Sequence, residues 1–266
     1  MERWRGRVAV VTGASAGIGA AIAYQLQDAG VNVVGLARRS DKIPEAVETA
    51  RKDAKSRSKV QIGGDCKPGQ LHCIKCDVTK EEDIIAAFKW VKENTNGVDI
   101  LINNAGVIGM TPLSDSKKNT DEWKSMLDIN VLGLSICTRE AIQQMKARGV
   151  DDGHIIHIGS VAGHWMPMYS WPGTAIYFAT KHAVRVLTEG LRKELVAAKS
   201  RIRVTEVSPG LVKTDIFNGC NKDVEEIFKI PHMFPEEVAD AVLYAIQVPA
   251  HVQIHEIIIK PVAQDF

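Results

Sequence analysis

The chain has 266 residues, 45% hydrophobic and 24% charged, enough for one sizeable core but short for a second full domain. That composition excludes collagen-like, low-complexity and wholly disordered chains. The 33 Lys and Arg nearly balance the 32 Asp and Glu, for a formal net charge of +1, so no global basic excess points to nucleic acid.

Val8 to Thr12 is a continuous β-branched apolar run, the mark of a strand buried on both faces. Arg3, Arg5 and Arg7 ahead of it imitate a signal peptide, but Gly13, Ser15, Gly17 and Gly19 interrupt the apolar stretch. No run reaches the length of a membrane span, and a cytoplasmic location is expected. Ile18 to Gln27 reads as a helix capped by Gly30, Val31 to Ala37 as a second strand, and Pro44 to about Arg57 as a charged helix. Ser56 to Gln70 is a polar loop and Leu71 to Cys76 a third strand. Thr79 and Glu82 have capping-box spacing, ahead of a helix whose Ile84, Ile85, Phe88 and Val91 share one face.

Asp99 to Asn103 is a fourth strand, and one long helix is expected from about Asp121 to Lys146. Ile155 to Ile158, Ile202 to Val207 and Ile254 to Ile259 complete the strands, with helices over about Ile176 to Ala198 and from Pro235 to about Ile246. This alternation predicts an α/β fold, a single domain over residues 1–266 with a doubly wound parallel sheet covered by helices on both faces.

Thr12-Gly-Ala-Ser-Ala-Gly-Ile-Gly19 sits where the first strand turns into the first helix. Glycine allows the tight bend and the close approach of a ligand, and a helix N-terminus offers free N–H groups to a pyrophosphate. At this place in an alternating pattern the motif is a dinucleotide site, and no Gly-Lys-Ser/Thr follows to make it a P-loop. Cofactor choice is read at the end of the second strand, where an acidic residue would hold the ribose of NAD. Arg38 and Arg39 stand there instead, and two guanidinium groups suit the 2′-phosphate of NADP.

Tyr177 and Lys181 lie four apart, on one helix face, and Ser160 follows the fifth strand at the sheet edge where open α/β folds bind ligands. A phenol titrates near pH 10, and lowering it by about three units takes about 4 kcal/mol of differential stabilisation. A neighbouring ammonium and a cationic nicotinamide ring supply charge of the required sign.

Thr12 to Gly19, Asn103-Asn-Ala-Gly106, Asn130, Ser160, Tyr177-x-x-x-Lys181 and Pro209-Gly210 together resemble the short-chain dehydrogenase/reductase family, in the family's order and over nearly the whole chain. The resemblance implies a seven-stranded Rossmann fold and an oxidoreductase. It implies Tyr177 as general acid/base, Lys181 on the nicotinamide ribose, Ser160 on the substrate oxygen, and Asn130 supporting a relay water within its helix. It implies a cofactor bound by Gly13, Ala14, Ser15, Ala16, Gly17, Ile18 and Gly19. Asp77 and Val78 would contact the adenine, Asn104, Ala105 and Gly106 the ribose, and Pro209, Gly210, Leu211, Val212 and Thr214 the nicotinamide and phosphates. A homodimer or homotetramer built on the two long helices is implied as well.

Met1-Glu-Arg-Trp-Arg5, Leu134 to Glu140, Asp151-Asp-Gly-His154 and Pro249-Ala-His251 resemble the insect farnesol dehydrogenases and a vertebrate relative active on steroids and dicarbonyls. Two stretches depart from that group by being longer, Ser56 to Gln70 and the one between Ser160 and Tyr177. The second contains His164-Trp-Met-Pro-Met-Tyr-Ser-Trp171, which with Met110, Ile216 and Phe217 reads either as an apolar substrate wall or as a contact to core or a neighbouring subunit. The expected substrate is a hydrophobic alcohol or carbonyl, such as a terpenoid. A regulator that had abandoned chemistry would usually lose a proton-transfer residue, and all four are present.

No metal is expected. Cys73 and Cys76, three apart on a strand, point to opposite faces, and five cysteines make no disulfide framework. Cys66 and Cys220 fall in expected loops. Lys52, Lys55, Arg57 and Lys59 read as a solvated face, and His154 and His157 as structural histidines.

Overall fold

The computed structural model describes residues 1–57, 67–114, 120–166, 172–219 and 224–264. Seven strands form one sheet: β1 (Val8–Thr12), β2 (Asn32–Ala37), β3 (Leu71–Lys75), β4 (Ile100–Asn103), β5 (His154–Ile158), β6 (Arg203–Pro209) and β7 (Glu256–Ile259). Their order is β3-β2-β1-β4-β5-β6-β7, every pair parallel, so the chain winds outward from β1 in one direction and from β4 in the other. The crevice at the β1/β4 reversal is where a doubly wound sheet binds its ligand.

Strand side chains alternate between two apolar layers, as a period of two requires. Ala9, Val11, Val33, Ile102, Ile156 and Val207 pack beneath α1 (Gly17–Asp28), α2 (Ile43–Arg57) and α8 (Pro235–Gln247). Val8, Val10, Val34, Leu101, Ile155 and Val204 meet α3 (Glu81–Asn94), α5 (Leu134–Ala147) and α6 (Ala175–Ala197). Cys73 joins the first layer and Cys76 the second, so the two thiols do lie on opposite sides of the sheet. The remaining helices are α4 (Thr120–Leu127) and the short α7 (Val224–Ile227).

Gly30 caps α1 with φ +86°: Val31 N donates to Leu26 O and Gly30 N to Gln27 O, the paired bonds of a left-handed C-terminal cap. His154 and His157 are buried with hydroxyl partners, Thr205 for the first and Thr138 and Thr188 for the second.

Two local expectations are corrected. The helix expected over Asp121 to Lys146 is broken into α4 and α5 by a π-helical turn, Asp128–Gly133. Gly133 lies so close to Val78 O that a Cβ would overlap it, and the wider turn lets the backbone pass. The capping box at Thr79 and Glu82 does not form. Helix α3 starts at Glu81, after an extended Lys80 with no side-chain cap. Asp77 competes for the threonine: Thr79 N and Oγ1 both donate to Asp77 Oδ1, at 3.1 and 2.8 Å, while Asp83 Oδ2 accepts from Asp77 N. Ile85 leaves the common face and is exposed.

Candidate active site

The turn from β1 into α1 is shaped by three glycines. Gly13 (φ +67°) and Gly17 (φ +51°) occupy left-handed conformations, and a Cβ on Gly19 would overlap Gly13 O and Asn104 Nδ2. Helix α1 opens at an extended Ala16 with no side-chain cap, which leaves its first-turn N–H groups for a ligand. Thr12 and Asn104 lock this turn to the end of β4. Thr12 Oγ1 accepts from Asn104 N and Ala105 N, both at 3.0 Å, and Asn104 Nδ2 donates to Thr12 O at 2.9 Å.

One cavity runs along the C-terminal edge of the sheet. Gly13, Ser15, Ala16, Gly17 and Ile18 line it at one place, and Arg38, Arg39, Asp77 and Val78 at another. Asn104, Ala105, Gly106, Ser160, Tyr177, Lys181, Pro209, Gly210, Val212 and Thr214 complete the lining named from sequence. Four expected residues stand behind the wall instead. Ala14 is fully buried against Gly35, Gly19 lies under Gly13, Leu211 belongs to an apolar cluster described below, and Asn130 is buried one layer back.

Asn130 works as a clamp. Its Oδ1 accepts from Val107 N (2.9 Å), and its Nδ2 donates to Val107 O (2.9 Å) and Thr180 Oγ1 (3.0 Å). Thr180 Oγ1 in turn donates to Tyr177 O. The π-turn, the segment after β4 and the start of α6 are thereby joined through one amide side chain.

Tyr177 and Lys181 share a face of α6, with the lysine Nζ 5.9 Å from the phenol ring centroid. Lys181 is buried and donates to Ile158 O at 3.0 Å. Burial lowers its pKa to about 8, with Glu206 opposing the shift. Ser160 caps the short turn Val161–Gly163 by accepting from Ala162 N at 3.1 Å. Burial pushes the Asp77 carboxyl up, but the Thr79 hydrogen bonds, aided by Arg38 and Lys80, hold it below the usual carboxylate range. Arg38 and Arg39 are exposed on the rim, and neither forms an ion pair among the described residues.

The apolar part of the site is a third cluster, separate from the core. Leu211, Phe217 and Ile227 are buried there against Ile108, Met110, Ile216 and Phe228, and Ile216 and Phe217 also line the cavity. Met110, Ile216 and Phe217 thus meet as expected. Trp165 and Met166 do not join them: both are exposed off the cavity, Trp165 beneath Lys260 with Nζ 5.3 Å from the ring. Met168, Tyr169 and Trp171 lie outside the described residues, as do Cys66 and Cys220. Sequence reasoning named Thr12 as the start of the Gly-rich motif without giving its side chain a role, and missed Val107, Thr180 and Ile227. Thr12 and Thr180 stand at a strand end and one turn after Tyr177, positions that mark them; Val107 acts through backbone, which has no side-chain signature.

The model of the family described as short chain dehydrogenase matches residues 7–225. The chain belongs to that family. A farnesol dehydrogenase of Aedes aegypti is 46% identical over 268 residues, covering 100% of both chains. The mouse protein named dehydrogenase/reductase SDR family member 11 is 46% identical over 275 residues, covering 99% of this chain and 97% of its own. Among solved structures, the closed form of serine dehydrogenase complexed with NADP+ superposes with a TM-score of 0.77 at 31% identity, covering 97% of this chain and 96% of that one. This short-chain dehydrogenase is therefore an oxidoreductase on a single-domain Rossmann fold with a nicotinamide cofactor. No helix among the described residues is long and apolar enough to cross a membrane.

Proposed function

We propose that this chain is an NADP(H)-dependent alcohol dehydrogenase and carbonyl reductase whose substrate is a hydrophobic alcohol of terpenoid size, such as farnesol. The observation that carries the reading is the convergence of Ser160, Tyr177 and Lys181 on the cavity shared by the Gly-rich turn and by Ile216 and Phe217 of the apolar cluster. The left-handed glycines and uncapped start of α1 fit a pyrophosphate, and Arg38 and Arg39 on the rim fit a 2′-phosphate. Asp77 and Val78 would border the adenine, Asn104 to Gly106 the ribose, and Pro209 to Thr214 the nicotinamide end.

NADP+, when bound, supplies the hydride acceptor. Ser160 Oγ holds the substrate oxygen, and the Tyr177 phenolate takes its proton. The Lys181 ammonium stabilises that phenolate from one helical turn away. In the reducing direction Tyr177 returns the proton. Asn130 fixes the geometry by clamping the main chain at Val107. Exposed Leu127 and Leu132, with Val186 and Val196 on α6, favour a second copy of the chain covering the long helices.

Initial rates of NADP+ reduction with farnesol, NAD+ run alongside, test this reading. NADP+-specific turnover lost in Tyr177→Phe, with NADPH binding retained, is expected. Activity in that variant refutes the acid/base role, and silence of the wild type with both cofactors refutes the substrate class.

A further inference from the structure

Glu206 is a buried carboxyl that the proposed reaction does not use. It stands on the face of β6 that carries Val204 and Ser208, the face covered by α6, and is only 2% exposed. A Cβ on Gly159 would overlap Glu206 Oε1, so the carboxyl fills the place of the missing side chain. Gly159 separates Ile158, whose carbonyl holds Lys181 Nζ, from Ser160. Glu206 therefore touches the main chain that joins two of the site's polar groups, from the side away from the cavity.

Lys181 has a single hydrogen bond among the described residues, to a neutral carbonyl. A buried ammonium with one neutral acceptor is poorly compensated unless an opposite charge lies near. Glu206 is the group whose charge raises the lysine's proton affinity against burial. The surroundings of Glu206 are themselves charged. From α6, Lys181, Arg185 and Arg192 act on it. On β7 its register partner is Glu256, and on β5 it is His157, which burial keeps neutral at ordinary pH. Ser208 Oγ lies 3.3 Å from Glu206 Oε1 and 2.9 Å from Glu256 Oε1, and Glu256 Oε1 is 2.5 Å from His164 Nε2. One hydroxyl proton cannot serve two carboxylates, so Ser208 leaves Glu206 the weaker partner, to be balanced by the cations of α6. Burial and Glu256 push the Glu206 carboxyl up to about 7, close to the lysine's own midpoint.

We propose that Glu206 is a positioning residue of the reaction: from behind Gly159 it supplies the negative charge that keeps the Lys181 ammonium charged beside the cavity. The proposal rests on the reading in which that ammonium stabilises the Tyr177 phenolate. A second cavity, lined by Arg185, Arg192, His255 and Glu256, reaches Glu206 between α6 and β7 and gives it access to protons without passing through the substrate site.

The full chain labelled with 13C at the lysine ε and glutamate δ carbons, titrated by NMR, tests the pairing without substrate; the Lys181 resonance is assigned by its loss in Lys181→Arg. In the wild type the Lys181 signal should show two steps, one tracking the Glu206 carboxyl. In Glu206→Gln it should show one step, lower by about one pH unit. Glu206→Asp, which keeps the charge, should restore part of that shift. The pH above which the rate of alcohol oxidation falls should move down with the lysine in Glu206→Gln, whereas a merely structural role would lower kcat at every pH and leave the limb in place. A single wild-type step, or an unmoved Lys181 midpoint in Glu206→Gln, overturns the proposal. The wild-type titration decides alone if the variants do not fold. A coupled titration in a wild type that oxidises no alcohol would leave the pairing standing and refute the functional reading instead.

Discussion

Removing the Asn130 side chain should unfasten the site before it touches any chemistry. Asn130→Ala deletes three hydrogen bonds, two to Val107 main chain and one to Thr180 Oγ1, all between 2.9 and 3.0 Å. Each is worth about 1 kcal/mol net, and leaving a main-chain donor unpaired in a buried setting adds about 1–3 kcal/mol. The expected loss is about 4–6 kcal/mol, a large share of a stability of about 5–15 kcal/mol. At about 2–4 °C per kcal/mol for a chain of this size, the transition should drop by roughly 10–20 °C. Urea unfolding and scanning calorimetry read the stability, and turnover measured well below the new transition reads what remains of the site. Asn130→Asp tests the direction of the bonds. It keeps an acceptor for Val107 N but sets a second carboxylate oxygen against Val107 O, so it should be destabilised at neutral pH and partly restored on acidification, when that oxygen gains a proton. A stability within about 1 kcal/mol of wild type in Asn130→Ala, with activity gone, would refute the clamp and move Asn130 into the chemistry.

Other perturbations separate the remaining parts. Replacing Arg38 and Arg39 with serine should weaken NADPH by about 1.5–3 kcal/mol, or 10- to 100-fold, and NADH little; equal losses in fluorescence titrations of both would refute the 2′-phosphate assignment. Gly19→Ala puts a methyl into Gly13 O and the Asn104 amide, so calorimetry should show a destabilised fold and titration no NADPH binding; a normal Kd would show that the turn yields more easily than its contacts imply. Burial holds the His157 pKa down at about 3, below the unfolded value near 6.5. The unfolded chain then binds the extra proton, so this contribution is present above pH 6.5 and is lost as pH falls towards 3, at about 1.4 kcal/mol per pH unit. His157→Gln should flatten that slope in urea midpoints measured across the range.

The strands, their parallel order and the place of the crevice were legible because they depend on runs of apolar residues and on glycines at strand ends, both written locally. Arg38, Tyr177, Lys181 and Ser160 were legible for the same reason, since each sits at a fixed offset within or after one element. The misses are non-local. The Thr79 capping box has the right spacing, but Asp77 offers the hydroxyl a nearer carboxylate, a competition that depends on how β3 ends. The π-turn around Asn130 ends at Gly133, which lies against Val78 O, a contact between positions more than fifty residues apart. Of the apolar cluster, Met110, Ile216 and Phe217 were named from sequence, whereas Ile108, Ile227 and Phe228 join them from segments that no periodicity links. Composition left Trp165 readable as substrate wall or as a contact to core or a neighbouring subunit, and what places it off the cavity, exposed and under Lys260, is a partner distant in sequence.

Two of the segments that resemble the farnesol dehydrogenases, Met1 to Arg5 and Asp151 to His154, acquire a structural meaning at the opposite end of the sheet. Trp4 is fully buried, donates from Nε1 to Ile246 O, and has the guanidinium groups of Arg3, Arg7 and Arg203 within 5.1, 4.7 and 6.0 Å of its ring. Arg7 pairs with Asp99 and Asp152, Asp99 also takes Arg148 and the main chain of Val8, and Asp151 holds Ser200 and Arg201. These residues close the N-terminal edge of β1, β4, β5 and β6 with paired charges. The C-terminal edge instead carries the crowded Gly13 to Gly19 turn, an uncapped helix start, and a buried lysine with one neutral acceptor among the described residues. Those features oppose folding, and they are what leaves N–H groups and charge free for a ligand. A fold that concentrates its well-satisfied contacts at one end of the strands can carry under-satisfied groups at the other. In this chain the first end is scaffold, and the proposed substrate would meet the cluster at the second, where Ile216 and Phe217 line the cavity.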